Sequence, residues 1–315
     1  MSDAPHHYVA YGLHVASDWP LPELGEAPPE VAATAPDLRV VRGAVPDRIG
    51  EPREQRVTWA ARPGAWRHEI PGVARYLVHD DGREVVVEPT GGTDADVRAF
   101  LFGSTLGAVL HQRQMFVLHG CAVATEHGAV AVAGVSGAGK STTLAELAHR
   151  GHPVLSDDKT VVHFGDAGPE VLSGYPTLRL WEDAVVRLGE APDDLAPLRE
   201  GRRKYLYRAP AFRSEPAPLR LVVVLNAYRS TASSGDAPAI RAERLGAHDA
   251  VQALLLQTYR RRMVNGAGLQ AEHFAWTARL AGAVPIVQLD RPTPGETVEA
   301  VADAIERQLA AVAEG

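Results

Sequence analysis

Gly134-Val135-Ser136-Gly137-Ala138-Gly139-Lys140-Ser141-Thr142 is the stretch on which the reading of the fold turns. It matches G-x-x-x-x-G-K-[ST] at every position. Its surroundings are the ones the motif requires. The apolar run Ala129 to Ala133 leads in and predicts a strand. Leu144, Leu147 and Ala148 lead out at helical spacing and predict a helix from Lys140 to Arg150, closed by Gly151. Glycines at 134, 137 and 139 let the chain bend until successive N–H groups face one anion. The start of the helix adds its partial positive charge. The expected nucleotide contacts are Gly134, Ser136, Gly137, Ala138, Gly139, Lys140, Ser141 and Thr142. Lys140 would reach the β- and γ-phosphates, and Ser141 would offer its hydroxyl to Mg²⁺. ATP with Mg²⁺ is the expected cofactor pair.

Just downstream stands Ser156-Asp157-Asp158-Lys159, between two predicted strands, Pro153 to Leu155 and Thr160 to Phe164. That path returns the chain to the sheet edge beside the phosphate site. Read as an extended segment, the two acids point to opposite sides. One carboxylate would then face the metal and the other the acceptor hydroxyl. Lys159 should lower the carboxylate pKa values, and repulsion between the acids should raise one of them. The plain alternative is a polar turn. A second place for a metal-binding acid is the end of an apolar strand, but Leu221 to Leu225 runs into Asn226. No Asn-Lys-x-Asp motif occurs, which disfavours a GTPase. His119, the last residue of the predicted strand Phe116 to His119, is either a site residue or a hydrogen-bonded core histidine. The remaining histidines, including His149 and His152, lack partners for a metal site.

Composition narrows the class. The 315 residues carry a net charge of −7 with 45% hydrophobic residues, so a large core is available and no basic surface dominates. A nucleic-acid partner is therefore not expected. Cys121 is the single cysteine, which rules out an intramolecular disulfide and a cysteine-based zinc site. Met1 to Pro20 has no signal-peptide pattern, and no apolar run approaches the ~20 residues of a membrane span. A cytoplasmic location without membrane contact is expected. Lysine occurs only at 140, 159 and 204.

Residues 1–92 read as a β-rich N-terminal module, with strands at Tyr8 to Val15, Leu38 to Val41, Gln55 to Trp59, Tyr76 to Val78 and Glu84 to Val87. Leu24 to Pro36 reads as a loop. Residues 93–315 read as the catalytic domain. Its first helix opens at Thr93, with Asp94 and Asp96 in the first turn. Cys121 to Thr125 and Ala129 to Ala133 predict a hairpin. A strand at Leu219 to Leu225, helices at His248 to Arg260 and Glu272 to Ala281, a strand at Ile286 to Leu289 and an amphipathic last helix from Val298 follow. Arg202-Arg203-Lys204 is a solvated loop or a phosphate clamp. Arg260-Arg261-Arg262 reads as a helix end, where positive charge is favoured, or as a wall for an acidic peptide.

His119-Gly120, the phosphate loop, Arg150-Gly151-His152 and Ser156-Asp157-Asp158, in that order and spacing, resemble the catalytic domain of HPr serine kinase/phosphorylase. The resemblance is close from Phe116 to Leu180 and looser beyond. It implies an α/β fold of the HPr kinase and phosphoenolpyruvate carboxykinase-like P-loop type, behind a small β-rich N-terminal domain. It implies Asp158 as base for a serine hydroxyl, and Asp157 as support beside His119 and the metal, so that His119, Lys140, Asp157 and Asp158 form the catalytic set and Ser141 and Asp157 the metal set. Val171 stands where that family carries a metal-binding glutamate, which argues against the reverse, phosphorylase reaction. Taken whole, with Tyr8 to Leu13 at its front, the chain is similar to the kinases that phosphorylate a terminal serine of lasso-peptide precursors. The expected partner is a precursor peptide or small protein bearing serine, and a homo-oligomer is compatible with the family. A small-molecule hydroxyl kinase and a nucleotide-binding sensor without transfer are the rival functions.

Overall fold

Alternation builds the front of the molecule. In Ala74–His79 and Glu84–Pro89 every second side chain is buried, so each strand gives one face to a core and one to solvent. The computed structural model describes residues 5–199, 203–229, 240–293 and 297–314. Arg202 therefore lies outside the described residues. Nine strands between His6 and Pro89 form a single mixed sheet, mostly antiparallel. Its buried face, with Trp66, Tyr76, Val78, Val85 and Val87, packs against Val97, Leu101, Leu106 and Val109 of the helical stretch that follows.

Several expectations need correction here. Tyr8 to Val15 is not one strand. The chain reverses at Tyr11 and Gly12, both at positive φ (55° and 72°), and makes a hairpin of His6–Ala10 and Leu13–Ser17. Gln55 to Trp59 is the turn between the short strands Glu54–Gln55 and Trp59–Arg62. The Leu24 to Pro36 segment contains a short strand, Gly25–Glu26, and one helical turn, Pro29–Ala32. The strand Ala65–Ile70 escaped the periodicity reading because Arg67 and Glu69 occupy its outer face beside aromatic Trp66 and His68. The helix begins at Thr93 as expected, with a capping box to Asp96, but passes through a wide turn at Leu101–Thr105 before continuing to Gln112.

A second nine-stranded sheet carries the phosphate loop. Its centre is parallel: Gly128–Gly134 lies beside Ala217–Arg229, which lies beside Ile286–Thr293. Gly120–Thr125 completes the predicted hairpin with Gly128–Gly134. The central strands are buried on both faces, as strands sandwiched by other layers must be. Lys140–His149 and the last helix, Val298–Glu314, cover one side. Ala247–Leu256 and Gln270–Ala283 cover the other. Arg150 ties the loop helix to the last helix through Asp303 (2.6 Å) and Glu306 (2.9 Å), and His152 joins Glu306 at 3.0 Å. These two residues hold helices together and do not line the cleft described below.

The helix expected at His248 to Arg260 ends at Leu256, and a separate helix runs Arg261–Ala267. The arginine triplet thus sits at a helix start, where the dipole disfavours cations, rather than at a helix end. Arg260 is compensated otherwise, by its Nε contact to the Tyr259 hydroxyl at 3.3 Å. A two-stranded ribbon, Thr177–Trp181 with Lys204–Arg208, folds over the loop side of the second sheet. Among the described residues no helix is long and apolar enough to cross a membrane.

The two sheets meet at the Tyr11 turn. The Tyr11 N–H donates to the Ser173 carbonyl at 2.6 Å, and its hydroxyl donates to the Lys159 carbonyl at 3.3 Å. Its ring packs over Gly174, where a Cβ would lie 3.1 Å from the ring.

Candidate functional site

The loop is built as its glycines dictate. Gly137 and Gly139 have φ of 83° and 106°, a region costly for residues with a Cβ. Gly134 is required for a different reason: a Cβ there would lie 2.5 Å from the Leu225 carbonyl of the neighbouring strand. The Lys140 side chain folds over the loop and donates to the carbonyls of Gly134 (2.7 Å) and Val135 (3.1 Å). Burial holds its ammonium below its ordinary pKa, opposed by the nearby carboxylates.

The loop opens into a cleft of about 980 Å³. Ser136, Gly137, Gly139, Lys140, Ser141 and Thr142 line it, together with His119, Asp157 and Asp158. Gly134 and Ala138, two expected contacts, are not at its surface. Ala138 is buried in the core, and the Gly134 carbonyl is taken by Lys140. All three lysines of the chain gather here: Lys140 and Lys204 line the cleft, and Lys159 lies beneath its floor.

The acid pair is a turn with divided partners. Asp158 has φ of 66°, so the segment is not extended as expected, and the Lys159 N–H closes back on the Asp157 carbonyl at 2.7 Å. The two carboxylates diverge all the same. Asp157 is buried; its Oδ1 accepts from the Ser141 hydroxyl at 3.4 Å and its Oδ2 from the Arg179 N–H at 2.8 Å. Asp158 accepts from the Lys159 ammonium at 2.8 Å, and its Oδ1 lies 3.5 Å from His119 Nδ1. His119 therefore stands beside Asp158 rather than Asp157. It is a half-buried cleft residue whose Nδ1 also lies 3.2 Å from the Asp158 carbonyl, so the core alternative does not describe it.

Electrostatics separates the pair. Burial, then repulsion from Asp158, pushes the Asp157 carboxyl above its ordinary pKa. Burial would raise Asp158 too, but Lys159, Arg179 and His119 outweigh it and hold that carboxyl well below the usual carboxylate range. Lys159 is fully buried, with its ammonium 4.9 Å from the Tyr259 ring centroid. Burial opposes its charge, yet Asp158 keeps it above the usual lysine range. His119 is lowered by burial and then by Lys140, which favours neutral imidazole at neutral pH.

Among the described residues no cluster of three or more His, Cys, Asp or Glu forms a ready metal site. A cation here would have Ser141 Oγ and Asp157 as protein ligands and would complete its shell with water and ligand oxygens. That sparse oxygen set suits Mg²⁺ better than a cation needing a full protein cage.

The opposite wall was largely invisible to motif reading. Trp181, Glu182, Asp183 and Val186 form one part of it, and Arg203 and Lys204 another, while Arg291 lines the cleft from the loop's own side. Trp181 pairs with Lys204 across the ribbon, and Arg203 meets Glu182 at 3.4 Å. Arg203 and Lys204 belong to the basic cluster noted above. Arg291 sits at the end of the strand beside Ala217–Arg229, with its Nε on the Ala138 carbonyl at 2.8 Å. Its only sequence signal is position after an apolar strand. Val171 is fully buried in Gly168–Leu172, an apolar side chain in a strand interior.

No family model matches the chain, and no curated protein matches it. Among solved structures it is similar to the HPr(Ser) kinase/phosphatase from Coxiella burnetii, at 11% identity and a TM-score of 0.30, over 61% of this chain and 89% of that one.

Proposed function

We propose that this chain is an ATP-dependent kinase that transfers the γ-phosphoryl group, with Mg²⁺, to a serine hydroxyl of a peptide. The observation that carries the reading is the convergence of a complete phosphate loop, the Ser141–Asp157 pair and the His119–Asp158–Lys159 cluster on one cleft. The loop N–H groups and Lys140 would bind the phosphates. Ser141 and Asp157 would hold Mg²⁺, which supplies charge neutralisation at the transferring group. In the transfer, the acceptor oxygen bonds to the γ-phosphorus, the bond to the β-phosphate oxygen breaks, and ADP leaves. The acceptor proton passes to Asp158. A carboxylate held so firmly ionised is a weak base, so Asp158 would orient the hydroxyl early and take its proton late, as suits a loose transition state. Neutral His119 would help fix Asp158.

The peptide acceptor, read as a serine near the end of a flexible ribosomal (lasso-type) precursor, rests on the sequence resemblance, together with an open cleft that an extended chain can enter. A cytoplasmic location belongs to the same reading. The test is mass spectrometry after incubation with MgATP of peptides ending in Ser, ending in Ala, or extended past Ser, alongside free serine and a sugar. Phosphate gain on the Ser-ending peptide is the expected result, and Asp158→Asn should slow it ~10²–10⁴-fold while ATP still binds. Transfer to free serine or sugar alone would instead make it a small-molecule kinase. ATP binding without transfer to any acceptor would make it a sensor.

A further inference from the structure

Six large hydrophobic side chains are exposed among the described residues, and two of them, Trp181 (52%) and Val186 (58%), share one wall of the cleft. Scattered exposed apolar residues need no explanation. This pair differs because its neighbours are locked. Leu178 and Leu180 before Trp181 are fully buried, and so are Ala184 and Val185 before Val186. The backbone is thus held by the core while these two side chains face the cleft. Lys204 lies with its ammonium 5.5 Å from the Trp181 ring centroid, on the paired strand.

The position selects the ligand group. The helix Glu182–Arg187, which follows Trp181 directly, packs against the phosphate-loop helix, whose Thr142 opens into the same cleft. His119 and Asp158, where an acceptor would meet the terminal phosphate, are carried by other segments, beside Tyr259. A nucleotide whose phosphates lie in the loop has one flat apolar group left to place, its base. An indole face with a branched aliphatic side chain beside it is a sequence-tolerant platform for such a ring.

Resting on the nucleotide reading above, we propose that Trp181, backed by Val186, is the shelf on which the purine base of the nucleotide stacks, with Lys204 bridging from shelf to phosphates. Lys204 lines the same cleft as Lys140 and Asp157, which fits a side chain spanning that gap.

The test compares Mg²⁺-ATP with Mg²⁺-tripolyphosphate, which has the phosphates and no base, in equilibrium binding to wild type, Trp181→Ala and Trp181→Phe. Stacking of one base is worth roughly 10–100-fold in affinity. Trp181→Ala should weaken ATP by about that factor and leave tripolyphosphate within about twofold, while Trp181→Phe keeps most of the ATP affinity. Tripolyphosphate binding also reports that the variant is folded. Wild type that binds tripolyphosphate as tightly as ATP overturns the shelf alone. So does Trp181→Ala with unchanged ATP affinity and a raised KM for the acceptor, which would give this wall to the acceptor. Equal loss of both ligands also overturns it. Wild type that binds neither ligand overturns the nucleotide reading itself, and the shelf with it.

Discussion

The two walls of the cleft are made in opposite ways. One comes from a single stretch of chain, with six of the residues from Ser136 to Thr142 at its surface, and its shape comes from backbone bends at Gly137 and Gly139 and from a helix start. The other is assembled from Trp181, Glu182, Asp183 and Val186 and from Arg203 and Lys204, brought together by a ribbon. The first offers backbone N–H groups and one lysine; the second offers an indole, carboxylates and long cationic side chains. A phosphate is the same in every nucleotide, so contiguous backbone can meet it. Bases and acceptors vary, and side chains drawn from distant segments can vary with them. Between the walls lies a floor, Asp157 to Lys159, that serves both.

The floor should give the largest effect. Lys159→Met leaves Asp158 beside buried surface without its closest cation, and breaking such a pair costs about 3–5 kcal/mol. Chemical denaturation of the full chain measures it; a loss below about 1 kcal/mol would mean that Lys159 is not what holds the floor. Next comes the loop wall. Lys140→Ala removes the charge proposed against the phosphates and should weaken Mg²⁺-ATP by about 2–3 kcal/mol, or roughly 30–150-fold, in calorimetry. Affinity unchanged by that substitution would take Lys140 out of the phosphate site. The arginine that flanks the loop should respond least. Arg291→Ala loses one cation anchored on the Ala138 carbonyl and should weaken ATP roughly tenfold. Were Arg291→Ala to cost more than Lys140→Ala, Lys140 would not be the leading cation of the loop wall.

The loop wall was legible because its chemistry is local. Every residue of the motif, the leading strand and the following helix lie within about twenty positions, and each signal depends on residue type alone. Asp157 and Asp158 were legible by position after that loop, although not their conformation. Nothing in Ser-Asp-Asp-Lys announces that Asp158 adopts a positive φ, because the turn is stabilised by groups far off in sequence, His119 and Tyr259 among them. Arg291 and Trp181 were illegible for the same reason: an arginine after a strand and a tryptophan before a helix are ordinary until pairing sets them around the cleft. The front sheet was legible where alternation was clean, as at Glu84–Pro89, and misread where positive-φ turns broke it, as at Tyr11.

Tyr11 also sets a condition on exchange. Its hydroxyl caps the Lys159 carbonyl, and its ring occupies the space over Gly174. The front sheet thereby underpins the peptide that carries Asp158. A chimera that set a different front sheet on the half bearing the loop would have to supply an aromatic hydroxyl at the same spot, or leave the acid turn without its prop. Any exchanged front would also have to match the apolar seam where Ala61 abuts Gly266 and the front-sheet core packs on Val161, Tyr175 and Met263.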